Sequence, residues 1–213
     1  MADKTIDLHT TMAELSVKRP VFYSEADFQH ALAWEIQSKH PDFSIRLEYR
    51  PPYLDKKAYV DIWAKSPETN FVIELKYKTK GTKITFNEED FELLNQGAQD
   101  IGRYDFLKDV ERIEKVVSKN PGTVGYGIFL TNEDLYWKQL DRELTTVDAS
   151  FRINAGKTIK GTVSWGKHAS EGTMKNREKP ISLKDTYEIA WHDYSNIAHA
   201  KYGHFKYLLL TVK

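Results

Sequence analysis

Hydrophobic residues change their period several times along the chain, and each change predicts an element. Between Phe43 and Arg50 they alternate, with Phe43, Ile45, Leu47 and Tyr49 on one side and Ser44, Arg46, Glu48 and Arg50 on the other, the period of a half-buried strand. Pro51-Pro52 stops that strand, and Tyr53 to Lys57 reads as a turn. Two short apolar runs follow, Val60-Asp61-Ile62-Trp63-Ala64 and Phe71-Val72-Ile73-Glu74-Leu75-Lys76. The segment between them, Lys65 to Asn70, carries the Pro, Ser and Asn of a tight turn, so the pair predicts an antiparallel hairpin. Upstream, Phe28, Leu32 and Ile36 recur every four residues. With Ser24 as N-cap and Asp27 in the capping-box position, they predict a helix to about Lys39, before His40-Pro41. Residues 1 to 20 read as a weakly structured lead-in with room for a short helix around Thr11 to Val17.

Downstream the period lengthens. Phe91, Leu94, Ala98, Ile101, Leu107, Val110, Ile113 and Val117 approximate one apolar stripe, predicting a long helical region from about Asn87 to Ser118, with Gly97 and Gly102 as points of bending or close packing. After Asn120-Pro121-Gly122, the run Thr123 to Thr131 predicts a buried strand, reached by a helical crossover and so parallel to a neighbour. Asn132 to about Leu144 predicts another helix. Thr186 to Trp191 and Phe205 to Val212 read as strands that pair with each other or extend the sheet. From Ala155 to Pro180 six Lys or Arg stand against two Glu, with four glycines, Trp165 and His168 among them. That stretch reads either as a solvated excursion or as a positive flap that closes over nucleic acid.

Composition narrows the class more than the function. A chain of 213 residues with 40% hydrophobic content can bury one sizeable core. Lys plus Arg equals Asp plus Glu at 31 each, so no global field attracts a polyanion and any attraction must be local. The absence of cysteine excludes disulfides and thiolate zinc sites. With no signal-peptide core and no apolar run of spanning length, the expectation is a soluble cytoplasmic protein without membrane partners. No P-loop, nucleophile elbow, dinucleotide fingerprint, HExxH helix or internal repeat occurs.

The chemistry concentrates in the predicted hairpin. Side chains alternate faces along a strand, so Glu74 and Lys76 point the same way while Ile73 and Leu75 pack on the other face. The hairpin brings Asp61 near Glu74, placing two carboxylates and an ammonium among apolar side chains, which is costly unless something uses them. Two carboxylates offer hard oxygen ligands for Mg²⁺, and a neighbouring lysine can orient water or offset transition-state charge.

An Asp followed by Glu-x-Lys, here Asp61, Glu74 and Lys76, resembles the PD-(D/E)xK nuclease superfamily, with Val60 where the name of the family has proline. The resemblance covers roughly residues 24 to 131. It implies a restriction-endonuclease-like α/β fold, an αβββαβα core of about residues 22–145 with a mixed central sheet flanked by helices, and a β-rich extension over 146–213 within one domain. It also implies an Mg²⁺- or Mn²⁺-dependent endonuclease, a hydrolase acting on DNA phosphodiester bonds, with RNA as another substrate in view. Asp61 and Glu74 would bind the metal and Lys76 would assist the attacking water. Glu25 lies on or beside the apolar face of its helix and suits both an ordinary acidic first turn and the acidic position that many members place on the first core helix to complete the metal site. Gln99 and Tyr104 resemble a Gln and Tyr that some branches carry after Glu-x-Lys, and with Arg103 they are nucleic-acid-binding candidates. The basic segment holding Lys78, Lys80 and Lys83 adds candidates for phosphate contact. A small domain of this kind without a recognition module is expected to form a homodimer or to work beside a partner protein. The competing expectation is a nucleic-acid or protein binding module that does not cut.

Overall fold

The first two helices begin where a cap and an apolar face coincide. Asp7 accepts a hydrogen bond from the Thr10 N–H at the start of α1 (Leu8–Lys18), which buries Leu8, Met12 and Leu15. The lead-in thus holds the short helix expected around Thr11 to Val17, extended to Leu8–Lys18 because those three apolar residues fall on one face. Ser24 caps α2 (Glu25–Lys39) through the Asp27 N–H, and Phe28, Leu32 and Ile36 form its buried stripe as expected. The strands β1 (Ser44–Tyr49), β2 (Val60–Lys65) and β3 (Asn70–Lys78) lie where the alternation placed them.

The next segment departs from expectation. Where the apolar stripe predicted the start of a long helix, β4 (Thr82–Phe86) and β5 (Glu89–Leu93) form an antiparallel hairpin. Its loop is Asn87-Glu88, both with positive φ (49° and 65°), the two-residue turn whose twist suits a hairpin. Ile84 pairs with Phe91 and both are buried, whereas Leu94, also assigned to the helical stripe, is 75% exposed. α3 (Gln99–Lys119) starts only after Ala98, which takes the left-handed conformation.

β6 (Thr123–Thr131) matches its predicted span. The helix expected from Asn132 to Leu144 is reduced to one 3₁₀ turn, Asp134–Tyr136, in the part that can be followed. The computed structural model describes residues 6–55, 58–139 and 146–213, so the end of that prediction lies outside the described residues. β7 (Thr158–Val163), the short α4 (Glu171–Met174), β8 (Ile181–Glu188), β9 (Trp191–Asn196) and β10 (His204–Val212) complete the chain.

Six strands make a mixed sheet in the order β1-β2-β3-β6-β10-β9, with β3 and β6 parallel and the other neighbours antiparallel. α1 and α2 pack on one face, joining Met12, Phe28 and Leu32 to Ile73, Leu75 and Ile128. On the other face lies α3, whose Val110 and Ile113 share a core with Val72, Phe129 and Leu208. The hairpin β7–β8 adds Ile159, Ile181 and Tyr187 to that second core. The basic stretch 155–180 is thus no free flap: Trp165 stacks on Tyr104 at 5.7 Å, and Arg177 Nε reaches Asp105 Oδ1 at 2.6 Å. The predicted strand Thr186 to Trp191 is divided between β8 and β9, and Phe205 to Val212 extends the sheet as β10 between β6 and β9. Among the described residues the predicted order survives as αβββαβ, with a hairpin inserted before α3 and a 3₁₀ turn directly after β6 where a helix was expected. No helix of the described residues is long and apolar enough to cross a membrane.

Two glycines in β6 let α3 approach the sheet. A Cβ on Gly125 would lie 2.1 Å from Ile113 Cγ2, and one on Gly127 would lie 3.3 Å from Val110 Cγ2. Gly127 is the register partner of Glu74 on β3.

Candidate active site

The site begins at a gap in the sheet. The β2–β3 ladder runs from Lys65 opposite Asn70 to Ile62 opposite Ile73 and ends there, while β6 covers the other edge of β3 as far as Lys78. The N–H groups of Leu75 and Tyr77, two residues apart, are left facing the gap, and buried N–H groups must find acceptors. Carboxylates supply them: Asp61 Oδ2 accepts from Leu75 N at 2.6 Å and Glu25 Oε2 from Tyr77 N at 2.8 Å. An irregularity in β1 accompanies this departure of β2. Leu47 pairs with Ile62 and Tyr49 with Val60, but Glu48 between them has a φ of 50°. Gln29 on α2 donates to the Asp61 carbonyl at 2.7 Å and to Glu48 Oε1 at 2.8 Å, fixing both strands at that point.

Beside the gap, strand and helix contribute one acid and one base each. Glu74 and Lys76 lie two apart on β3, and Asp109 and Arg112 lie three apart on α3, so each pair shares a face. The pairs cross. Arg112 donates to Glu74 Oε1 and Oε2 at 2.6 and 2.7 Å, a bidentate clasp, while Lys76 Nζ stands 2.9 Å from Asp109 Oδ2. Arg112 also donates to Asp109 Oδ1 at 2.8 Å, and Lys76 Nζ lies 3.9 Å from Glu25 Oε1. These four residues balance in charge, so Asp61 and Glu25 are a surplus of two acids against the gap.

The surplus is visible in the electrostatics. Burial pushes the Asp61 carboxyl up to about 6, further raised by Asp109 and Glu25, against the pull of the Leu75 N–H and Lys76. Burial also raises Glu74, opposed by the two Arg112 hydrogen bonds. For Lys76 burial acts downward, but Asp109 and Glu25 outweigh it and the ammonium is held more firmly protonated than a free lysine. Arg112 behaves likewise, its burial outweighed by Glu74 and Asp109.

No family model, curated protein or solved structure matches this chain. The site must be read on its own geometry. Asp61, Glu74, Lys76 and Glu25, the four residues singled out from the sequence, come together from three elements. Asp109 and Arg112 were missed. Their only sequence signal is an acid and a base three apart beside the buried Val110 and Ile113, which looked like the polar side of an ordinary helix.

The nucleic-acid candidates fare differently. Arg103 is buried, donating to Asp148 Oδ2 and the Leu135 carbonyl, both at 2.6 Å. Tyr104 is buried and its hydroxyl donates to the Lys179 carbonyl at 2.8 Å. Gln99 donates to Glu133 Oε2 at 3.3 Å. Arg103 and Tyr104 are packed within the fold and Gln99 is half-buried, and the turn of α3 that faces Glu74 is the later one with Asp109 and Arg112. The supposed basic loop is mostly strand: Lys78 ends β3 on the face of Glu74 and Lys76, Lys80 pairs with Glu133 at 3.2 Å, and the exposed Lys83 in β4 pairs with Glu92 at 3.1 Å. Of these, Lys78 alone shares the face of the site.

Proposed function

We propose that this chain is a metal-dependent nuclease that hydrolyses DNA phosphodiester bonds, built on a restriction-endonuclease-like core. The observation that carries the reading is the surplus of acids at the strand gap: Asp61 and Glu25 flank Lys76 at the edge of β3, and Glu74 lies beside them. The donor set fits a hard divalent ion in kind and in charge, since four carboxylates surround two basic side chains. Among the described residues no three acidic or histidine side chains converge as a ready cage. Mg²⁺ does not require one, because it binds through one or two carboxylates and keeps its waters. Asp61 and Glu74 would hold the ion, with Glu25 as the third acid of the site. A bound Mg²⁺ or Mn²⁺ would supply Lewis-acid polarisation of the phosphoryl group and a more acidic water.

The roles of the chain's own groups follow from their electrostatics. Lys76, held protonated by Asp109 and Glu25, is a hydrogen-bond donor and a fixed positive charge, not a general base. It can orient the attacking water and offset charge on the phosphoryl oxygens. Asp61 ionises only as the pH passes about 6, so its capacity as a ligand rises through that range.

A second reading, a binding module that does not cut, draws on one observation: both oxygens of Glu74 are already taken by Arg112. Titration calorimetry with Mn²⁺ and nicking of supercoiled plasmid separate the two readings. Under the nuclease reading the wild type binds Mn²⁺, Asp61→Asn and Glu74→Gln bind none, and nicking is lost in both and in Lys76→Ala. A wild type that binds no Mn²⁺ even with DNA present removes the nuclease and leaves the binding module.

A further inference from the structure

Arg112 has two environments. Toward the sheet it clasps Glu74, and away from it its side chain, 28% exposed, lines a cleft of about 420 Å³ between α3, β8 and the segment before β2. Lys108, Arg112 and Lys115 fall at i, i+4 and i+7 along α3 and line one wall, and Lys184 of β8 lines another. Of the three acids that line the cleft, Asp55 is exposed, and Glu111 and Glu114 are occupied within the fold. Glu114 accepts from the Lys184 and Asp185 N–H groups and from the Tyr187 hydroxyl, and Glu111 accepts from Lys108 and from the Ser182 N–H. Among the described residues Lys115 and Lys184 make no ion pair, which leaves two ammonium groups free to meet an anion.

On the nuclease reading above, we propose that Arg112 is a positioning residue that exchanges between Glu74 and a backbone phosphate of a nucleic-acid strand lying in this cleft, so that strand binding and divalent-ion binding favour each other. In the free protein the guanidinium occupies both oxygens that Glu74 would offer an ion. A guanidinium binds phosphate bidentately as it binds carboxylate, so a phosphate brought in by Lys115 and Lys184 is an equivalent partner for it. Its departure frees Glu74, and a divalent cation then replaces the charge that Glu74 has lost. The exchange breaks the two N–H···O bonds to Glu74 and the one to Asp109 Oδ1 and makes two to the phosphate, with the cation compensating Glu74 and Lys76 remaining beside Asp109. The coupling is reciprocal: whatever factor the strand adds to ion affinity, the ion adds to strand affinity.

The test measures Mn²⁺ binding by calorimetry at about pH 8, where Asp61 is ionised, using a phosphorothioate duplex that resists cleavage as the strand probe. In the wild type the duplex tightens Mn²⁺ binding by about 5- to 150-fold, the usual range of such coupling. Arg112→Met binds Mn²⁺ more tightly than the wild type without DNA and gains little from the duplex. Arg112→Lys, which cannot clasp both oxygens, falls between. The double variant Lys115→Ala/Lys184→Ala keeps the wild-type Mn²⁺ affinity in the absence of DNA and loses most of the gain. Because Arg112→Met leaves a buried carboxylate uncovered, melting curves with and without Mn²⁺ accompany the titrations, and Mn²⁺ raises the melting temperature of that variant more than that of the wild type. If Arg112→Met binds Mn²⁺ no better than a wild type that does bind and nick, the exchange is overturned and the nuclease stands. If no protein binds Mn²⁺ under any condition, both fall.

Discussion

α3 carries two clusters of buried charge, one near its start and one near its middle, and they differ in what surrounds them. Near its start Arg103 meets Asp148, with Arg152 on the other carboxylate oxygen at 3.2 Å, and every side chain of that trio is at most 8% exposed. Near its middle Asp109 and Arg112 meet Lys76 and Glu74, and this group reaches solvent through Arg112 and Lys76. The first cluster is closed and carries one surplus positive charge, packed against Tyr136 and the 3₁₀ turn before it. The second carries two surplus negative charges at a gap in the sheet. A buried ion pair is therefore a poor sign of a site by itself, since both clusters have one. What separates them is an uncompensated charge placed where solvent can deliver a counter-ion.

That comparison can be broken from either side. The largest effect is expected from Glu74→Gln, which removes a proposed ligand and should lower nicking by about 10³-fold or more, read in a single-turnover plasmid assay. Arg103→Met attacks the closed cluster and strips Asp148 of its main partner, so it should cost ~3–5 kcal/mol of stability in urea titration while leaving nicking per folded molecule unchanged. Loss of nicking out of proportion to unfolding in that variant would erase the distinction drawn above.

Asp61→Asn sharpens the same contrast through pH. The folded Asp61 titrates at about 6 against 3.8 for a free side chain, so the native state binds this proton more tightly than the unfolded chain. Its contribution to stability is present at low pH and is lost as the pH rises through about 6, beyond which the ionised acid is a net burden without metal. Asp61→Asn should therefore be more stable than the metal-free wild type by on the order of 1–3 kcal/mol at about pH 8 and show no such gain near pH 4. The smallest effect belongs to Lys83→Ala, whose ion pair with Glu92 is solvent-exposed on both sides. It should shift stability by no more than ~0.5 kcal/mol and leave nicking unchanged.

Much of this arrangement was readable from residues close in sequence. Glu74 and Lys76 share a face because strands alternate, and Asp61 joins them because a short turn folds one strand on the next. Glu25 was visible as an acid beside an apolar stripe. Asp109 and Arg112 were not, because their partners stand more than thirty residues away and nothing local distinguishes an acid and base three apart from helix-surface pairing. The β4–β5 hairpin was misread for a related reason. Phe91 and Leu94, three apart, fit a helical period, and the turn at Asn87-Glu88 lacks the glycine that usually marks a hairpin. Gln99, Arg103 and Tyr104 were singled out by resemblance to a Gln-and-Tyr pattern, and they lie on α3 before the turn that carries Asp109 and Arg112.

The depth of the site is set by residues that have no chemistry. Gly125 and Gly127 leave β6 bare where α3 lies on it, and Glu74 sits one strand away at the same level. Those two missing side chains act as a spacer of fixed thickness, the clearance at which a guanidinium on the helix meets a carboxylate on the strand. A methyl group at Gly125 would have to displace Ile113, one residue from Arg112, and so would work as a wedge under the helix. Variation in this chain is thus constrained well outside the charged residues: the gauge of the cluster is held by two positions whose contribution is to be empty.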